Sequence, residues 1–132
     1  MTKKTIANYL SKWCRAEGIC RWCGSHSDNL EAHHILTKGA YPELALCPLN
    51  LYPLCLTCHL KVHADRMAFF RFINGLSPDY TEWLVCIVSR AWRKLDRDGV
   101  WEMAKDLPSW SELFEAMKEP GIRVKPNAIM SR

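Results

Sequence analysis

Two short cysteine pairs constrain the fold of this chain more than any other feature. Each pair has two intervening residues, and 31 residues separate Cys20 and Cys23 from Cys55 and Cys58. This spacing lets one turn present two thiolates to the same ion, so the two pairs can supply the four ligands of a tetrahedral structural Zn²⁺ site. We therefore predict a zinc site from which the chain between the pairs loops out. The three other cysteines are expected to be small buried residues: Cys14, Cys47 and Cys86.

The composition limits the class of protein. The chain has 132 residues, 48% of them hydrophobic and 24% charged, which is typical of one globular domain or of one domain with an appendage. It lacks an apolar run long enough to span a bilayer and a secretory signal, so we expect a cytoplasmic protein that does not bind membranes. In a reducing compartment, clustered cysteines favour metal binding over disulfides. The net charge of +4 favours a polyanionic partner.

Hydrophobic spacing and helix-breaking residues predict the order of the elements in the first half. The predicted elements are a helix over 3–17, a strand over 30–35, a loop over 36–50, a strand over 51–54 and a helix from Cys55 to about Gly75. The fold class is therefore α+β. We assign residues 1–64 to the metal-binding module with its N-terminal helix.

The second half of the chain predicts helices only. Ser77 and Pro78 are expected to begin a long helix that reaches Arg97 and is ended by Gly99. Its predicted buried stripe contains Tyr80, Leu84, Ile87, Val88, Ala91, Trp92 and Leu95. Ser109 is expected to cap a last helix that ends near Pro120. Residues 65–132 thus form a helical appendage with a basic tail, and the sequence leaves open whether this part forms a homodimer.

Five histidines lie between or just after the cysteine pairs, and four of them have spacings that suit metal chemistry: His33, His34, His59 and His63. Neighbouring strand residues point to opposite faces, so His33 and His34 should have different roles. His59 and His63 lie one helical turn apart and, with His33, can complete a three-histidine metal site. His34 would then be free to act as a general base near neutral pH.

The motifs between Cys20 and His63 resemble those of the HNH endonucleases, the ββα-metal group, in the variant with a four-cysteine zinc site. These motifs are Cys-x-x-Cys, His-His-Ile, Asn-Leu and Leu-Cys-x-x-Cys-His-x-x-x-His. The resemblance implies a small zinc-stapled ββα-metal core with flanking helices. It also implies metal-dependent hydrolysis of DNA phosphodiester bonds, with nicking and double-strand cutting both open.

Position by position, the resemblance assigns roles to individual residues. His34 matches the general base that activates water, and Asn50 matches the residue that pins the loop orienting this base. His59 matches a ligand of the catalytic divalent cation, and His33 takes a ligand position that is Asp or His in the family. His63 matches an additional ligand found in some members. The cation stays open between Mg²⁺, Mn²⁺, Ni²⁺ and Zn²⁺.

DNA binding requires cationic side chains near the site. Those that flank the motif are Arg21, Lys38 and Lys61. A second group falls on one arc of the predicted helix over 78–97: Arg90, Arg93, Lys94 and Arg97. Such an arc is equally typical of a solvated helix face.

Three alternative interpretations stay open. Residues 38–44 resemble phage recombination proteins of the NinG/Rap type, which implies a phage or prophage origin and leaves a branched-DNA nuclease open. A zinc-dependent DNA-binding module without catalysis would use the same cysteines. Cys55-x-x-Cys58-His59 is also a c-type haem attachment motif.

Overall fold

The computed structural model describes residues 1–121 and 123. Its strands are β1 (Glu31–His34) and β2 (Leu51–Leu54). Its α-helices are α1 (Lys3–Arg15), α2 (Leu56–Ala64), α3 (Arg66–Leu76), α4 (Tyr80–Trp83), α5 (Ser89–Trp92), α6 (Arg97–Ala104) and α7 (Trp110–Lys118). A π-helical segment, Leu84–Val88, joins α4 to α5, and two 3₁₀ turns cover Pro42–Leu44 and Pro48–Asn50. The α+β class is confirmed, as is the ββα order of the core.

The two strands form an antiparallel pair that places the histidines. His33 lies opposite Tyr52 and His34 lies opposite Leu51. The amide of Ile35 donates to the carbonyl of Asn50 at 2.9 Å and closes the long hairpin loop directly after β1. All four residues of β2 are buried, since α1 and α2 both pack against the strand pair. The histidines therefore sit on a strand whose partner lies in the core.

Helix α1 agrees with its predicted position. The Thr2 hydroxyl accepts a hydrogen bond from the amide of Thr5 at 3.1 Å and caps its N-terminus. The helix ends at Arg15, two residues before the predicted end. Gly18 takes a positive φ of 69° while its amide donates to the carbonyl of Arg15 at 3.1 Å, a conformation that favours glycine after a helix.

The single helix predicted from Cys55 to Gly75 is wrong, because the chain breaks it into α2 and α3 at Asp65. Asp65 leaves the helical region, with φ −149° and ψ 87°. Its carboxylate accepts from the amide of Ala68 at 3.0 Å and caps the new helix. An aspartate that offers such a cap competes with helix continuation, which hydrophobic spacing alone does not reveal.

The start predicted for the next helix is also wrong. Ser77 ends α3, and its buried hydroxyl donates to the carbonyl of Lys118 at 2.6 Å instead of capping a helix. Helix α4 begins after Asp79, which has a left-handed φ of 64°. The helical run ends at Trp92, and Gly99 lies within α6 instead of ending a helix. The Asp96 carboxylate caps α6 by accepting from the amide of Gly99 at 2.8 Å.

The π-helical segment changes which side chains are buried. The buried hydrophobic side chains recur every fourth residue, at Tyr80, Leu84, Val88 and Trp92. The wider turn of a π-helix accounts for this spacing, which departs from the 3.6-residue period assumed in the prediction. Ile87, predicted to be buried, is 44% exposed as a result.

The last helix joins the second half of the chain to the strands. Ser109 caps α7 as predicted, accepting from the amide of Glu112 at 3.2 Å. The indole of Trp110 donates to the carbonyl of Leu51 at 2.8 Å, and the hydroxyl of Tyr80 donates to that of Leu49 at 2.7 Å. Buried side chains from both halves accordingly form one hydrophobic cluster.

Two predictions concern the chain as a whole: its division into two parts, and the lack of a membrane-spanning segment. The division into residues 1–64 and 65–132 stays a prediction, and most of the predicted basic tail lies outside the described residues. Across the described chain, no helix combines the length and the apolar character needed to cross a bilayer.

Candidate metal centre and active site

The four paired cysteines converge as predicted. Their sulfur atoms all lie within 4.8 Å of one another, and the Sγ atoms of Cys23 and Cys55 are 3.8 Å apart. A tetrahedral ion with bonds of about 2.3 Å to sulfur requires sulfur–sulfur distances of about 3.8 Å. Cys20, Cys23, Cys55 and Cys58 are thus positioned to bind one metal ion. Because Cys55 and Cys58 belong to this group, the arrangement favours metal binding over haem attachment.

Two local structures present these sulfurs. In the first, the amide of Cys20 donates to the carbonyl of Ser25, and that of Gly24 donates to the carbonyl of Cys20, both at 2.9 Å. Gly24 has a φ of 80°, which favours glycine at this turn. In the second, Cys55 caps α2, its Sγ accepting from the amide of Cys58 at 3.5 Å. A bound ion would therefore join the segment before β1 to the start of α2.

The thiols differ in their surroundings. The Ser25 hydroxyl lies 3.1 Å from the Sγ of Cys23, and this hydrogen bond lowers the pKa of Cys23 to about 6. Burial raises the pKa of Cys58. Of the three cysteines outside the group, Cys14 and Cys47 are buried as predicted, whereas Cys86, which lies in the π-helical segment, is exposed and its predicted burial is wrong.

A second cluster contains the three histidines predicted to bind the catalytic cation. The ring of His33 lies 5.0 Å from that of His59 and 6.2 Å from that of His63. The Nε2 atoms of His59 and His63 are 3.2 Å apart. Two imidazoles that share an ion at bond lengths of about 2.0–2.1 Å would have nitrogens about 2.9–3.4 Å apart, so this pair fits a shared ion.

The third histidine of the cluster, His33, lies beside this pair and contacts the aromatic core. Burial, followed by the neighbouring imidazoles, lowers the pKa of His33 to about 4, so its ring is neutral at pH 7 and can act as a metal ligand. Its ring packs edge-on against Phe69 at 5.2 Å. Among the described residues, the four cysteines are the one group of three or more ligand atoms that already converge tightly. The structure brings the three histidines together, and their role as ligands stays a prediction.

His34 contacts a different part of the chain. Its Nε2 lies 3.1 Å from the carbonyl oxygen of Ala45. A carbonyl only accepts hydrogen bonds, so Nε2 carries the proton and the neutral ring has Nδ1 as its free acceptor. Burial lowers the pKa of His34 below 6.5, and the bond to Ala45 partly opposes this. The neutral ring at pH 7 is the form that a general base requires.

Asn50 fixes the loop that holds this carbonyl. Its side chain is fully buried, and its Oδ1 accepts from the amide of Leu36 at 2.8 Å. Its Nδ2 donates to the carbonyls of Leu36 at 3.0 Å and of Leu44 at 3.3 Å. Leu36 follows His34 by two positions, and Leu44 directly precedes Ala45. The buried side-chain amide of Asn50 therefore ties together the two segments that contain His34 and its partner Ala45.

The basic residues that flank the motif differ in their availability. Arg21 lies 3.3 Å from the carboxylate of Glu17, donates to the hydroxyl of Ser111 at 2.6 Å and packs over the Trp110 ring. It thus joins the turn that contains Cys20 and Cys23 to α7. Lys38 is exposed, and its charge contributes to the lowered pKa of His34.

The remaining predicted cations lie on exposed surface. Lys61 packs over the ring of Trp22 at 4.4 Å. The single arc predicted for the second group of cations is wrong, because α5 ends at Trp92. The members of this group are divided between the end of that helical run and the start of α6. These residues are Arg90, Arg93, Lys94 and Arg97, all exposed. Arg93 lies 3.8 Å from the carboxylate of Glu43.

Sequence reasoning missed one cation near the histidines. Arg66 is exposed at the start of α3, and its charge is among the causes of the lowered pKa of His33. The signal was Asp65, the capping residue directly before it. Because a single continuous helix was expected here, no helix start was assigned next to the site.

Comparison with known proteins agrees with this geometry. The structure combines a four-cysteine group that could hold a metal ion with a ββα unit that carries clustered histidines. Residues 20–65 match the family model described as HNH endonuclease, and the match contains both cysteine pairs, Asn50 and the four histidines of the site. This match covers about a third of the chain. No curated protein and no solved structure gives a significant match.

Proposed function

We propose that this protein is a metal-dependent endonuclease that hydrolyses phosphodiester bonds of DNA, with His34 as general base. The observation that carries the proposal is the bond from His34 to the Ala45 carbonyl, beside three imidazoles and within an HNH domain. This bond fixes the tautomer of His34, so that Nδ1 is the nitrogen available to a water molecule.

The chain's own residues support one proton transfer. Nδ1 of His34 takes the proton from the attacking water, while Nε2 keeps its bond to Ala45. Asn50 holds the loop and thereby the orientation of the ring. A divalent cation held by His33, His59 and His63 would stabilise the charge that develops on the phosphate and on the leaving 3′ oxygen. The products would carry a 5′ phosphate and a 3′ hydroxyl.

The cofactors follow from the donor atoms. Four thiolates with sulfur–sulfur distances suited to tetrahedral geometry support structural Zn²⁺. Imidazole nitrogens suit Zn²⁺ or Ni²⁺ better than Mg²⁺, which prefers oxygen ligands, so we keep Mg²⁺, Mn²⁺, Ni²⁺ and Zn²⁺ as catalytic candidates.

DNA would approach over the exposed cations. Lys38 lies close enough to affect His34 and Arg66 close enough to affect His33, which places a positive charge near each part of the site. The other proposed contacts are Lys61, Arg90, Arg93, Lys94 and Arg97. Arg21 fits a structural role better because its side chain contacts Glu17 and, in α7, Ser111 and Trp110. The cytoplasmic location, the phage or prophage origin and the homodimer stay predictions.

Cleavage of supercoiled plasmid tests the proposed function. The wild type, His34→Ala and the matched control His26→Ala would be incubated with each candidate cation and with EDTA. The His26 side chain is exposed, so its removal should leave cleavage unchanged. Loss of a general base typically slows a reaction about 10²- to 10⁴-fold, and we expect a loss of this size for His34→Ala alone.

Two outcomes would contradict the proposal. Metal-dependent cleavage that persists in His34→Ala would exclude this residue as the base. A folded, zinc-loaded wild type that binds DNA and cuts neither plasmid nor branched DNA would instead favour the non-catalytic DNA-binding module.

A further inference from the structure

A cavity of 470 Å³ lies beside the histidine site. One wall consists of Leu36 and Thr37, the second and third residues after His34. The start of α3 supplies Arg66 and Phe70 to the opposite wall, and Arg66 is the cation whose charge reaches His33. The cavity is therefore adjacent to the proposed catalytic residues while its lining is distinct from them.

Two aromatic rings line this cavity, those of Tyr41 and Phe70. Both are half-buried, and among the described residues neither contributes to an aromatic pair. Phe69, the neighbour of Phe70, pairs with Trp22, His33 and Tyr52. Both rings pack against the hydrophobic core, and both are part of the cavity lining, where a planar ligand can contact them.

The polar lining suits a nucleotide. Thr81 and Glu82 can hydrogen-bond to the edge of a base. Arg66, on the side of the histidines, has no carboxylate partner among residues 1–121 and 123, so its guanidinium is available to a phosphate. Arg66 thus contributes a positive charge to the cavity lining near His33, and the apolar and aromatic side chains of the lining offer surface to a base.

The π-helical segment forms part of the same wall through Val85 and Cys86. π-Helical turns are rare and occur frequently at functional sites. Here Cys86 is exposed and lines the cavity. The local departure from α-helical geometry thus coincides with the opening beside the active site.

We infer that this cavity accepts one unpaired nucleotide of the DNA substrate, next to the phosphate that is cut. The inference rests on the proposed function and specifies its substrate class. Bases inside a duplex have both faces covered by their neighbours, so a base can reach Tyr41 and Phe70 only when it is unpaired or extruded. The volume falls within the range of about 300–1,000 Å³ typical of small-molecule sites.

Binding to the full chain carrying His34→Ala tests this inference without cleavage. The probes are a short DNA duplex with one bulged 2-aminopurine and the same duplex with that base paired. We expect fluorescence anisotropy to show about tenfold tighter binding of the bulged duplex, since stacking on aromatic side chains contributes substantially to affinity. The emission of the bulged 2-aminopurine should fall on binding because stacking quenches it.

Variants of the cavity separate stacking from general apolar contact. Tyr41→Leu and Phe70→Leu keep an apolar side chain and should each remove most of the preference for the bulge. Tyr41→Phe keeps the aromatic face and should retain it. Tyr9→Leu is the matched control, since Tyr9 lies outside the cavity and packs against Trp101. Equal affinity for the two duplexes, or an undiminished preference in the Tyr41→Leu and Phe70→Leu double variant, would overturn the inference.

Alkylation of Cys86 provides a second measurement. This thiol is exposed at the cavity, so the bulged duplex should slow its alkylation more than the paired duplex does. Equal protection by both duplexes would count against occupation of the cavity by the bulged base. Metal-dependent plasmid cleavage without a preference for the bulge would leave the nuclease standing and overturn the inference. A clear preference without any DNA cleavage would support the nucleotide site and overturn the nuclease.

Discussion

The imidazole of His34 and the carbonyl of Ala45 lie 3.1 Å apart across eleven positions of the chain. Regular secondary structure alone does not fix this contact, because Ala45 belongs to the loop between the two strands. The amide of Asn50 holds this loop through its bonds to Leu36 and Leu44. The orientation of His34 is therefore coupled to a buried side chain sixteen positions away.

This coupling predicts that Asn50→Ala loses both stability and cleavage. The substitution leaves the amide of Leu36 and the carbonyls of Leu36 and Leu44 without their partner inside the core. Each unsatisfied buried group costs about 1–3 kcal/mol, so we expect the free energy of unfolding to fall by at least about 2 kcal/mol in urea titrations. Asn29→Ala, at an exposed position, is the control. An Asn50→Ala protein as stable as Asn29→Ala would contradict the coupling.

The four-sulfur group predicts a dependence of folding on metal. Cys58→Ser removes a buried ligand, and we expect loss of the bound zinc and a markedly lower Tm, because structural zinc contributes directly to folding. Cys86→Ser should retain both, since Cys86 is exposed and lies outside the group. Zinc content by atomic emission and thermal unfolding would check this prediction. Unchanged zinc content in Cys58→Ser would argue against a four-cysteine site.

Glu43 predicts a pH dependence of stability. The hydroxyl of Ser89 donates to its carboxylate, and this bond, with Arg93 nearby, lowers the pKa of Glu43 below 4.5. A group with a lowered pKa in the folded state stabilises the fold above its unfolded pKa. That contribution is lost as the pH falls through the folded pKa. We expect Glu43→Gln to be less stable than the wild type at pH 7.

The difference should shrink as the pH is lowered through the folded-state pKa of Glu43, because the protonated carboxyl is then neutral like the side chain of Gln. Urea unfolding at several pH values measures this difference. Glu102→Gln is the control, because its ion pair with Lys105 lies on the exposed surface, where such pairs contribute little. A stability difference between the wild type and Glu43→Gln that does not change with pH would contradict the assigned cause.

The bond from Tyr80 to Leu49 predicts a cost for removing one oxygen atom. Tyr80→Phe leaves the Leu49 carbonyl without its buried donor, and we expect a loss of about 1–3 kcal/mol in the free energy of unfolding. Tyr9→Phe should change it little, since Tyr9 is partly exposed. Denaturant titration of both variants checks the prediction, which a neutral Tyr80→Phe would contradict.

The sequence predicts the strands and the four-cysteine group well because their signals are local. The strand over 51–54 has its predicted bounds, and the cysteine pairs need only two turns facing each other. The contacts of Asn50 follow from the loop path, which a single motif position does not contain. The resemblance assigned Asn50 a role in pinning the loop, and its bond partners became visible only in the structure.

The failures of the sequence predictions concern competition between interactions. Asp65 can continue a helix or cap a new one, and only tertiary packing decides between these states. The π-helical segment changes the period of burial, so the helical wheel misassigned Ile87 to the core. Cys86, which was expected to be a small buried residue, is also exposed. The walls of the cavity beside the histidines include the start of α3 and the π-helical segment. The sequence predicted neither of these two features, so it could not predict the cavity.

The bonds that Tyr80 and Trp110 make to Leu49 and Leu51 have a consequence for protein engineering. These two carbonyls lie on either side of Asn50, and both donors come from outside residues 20–65. A chimaera that carries only the HNH segment would leave both carbonyls exposed to solvent beside the loop that orients His34. We therefore expect this segment to require residues from α4 and α7 when it is grafted onto another protein.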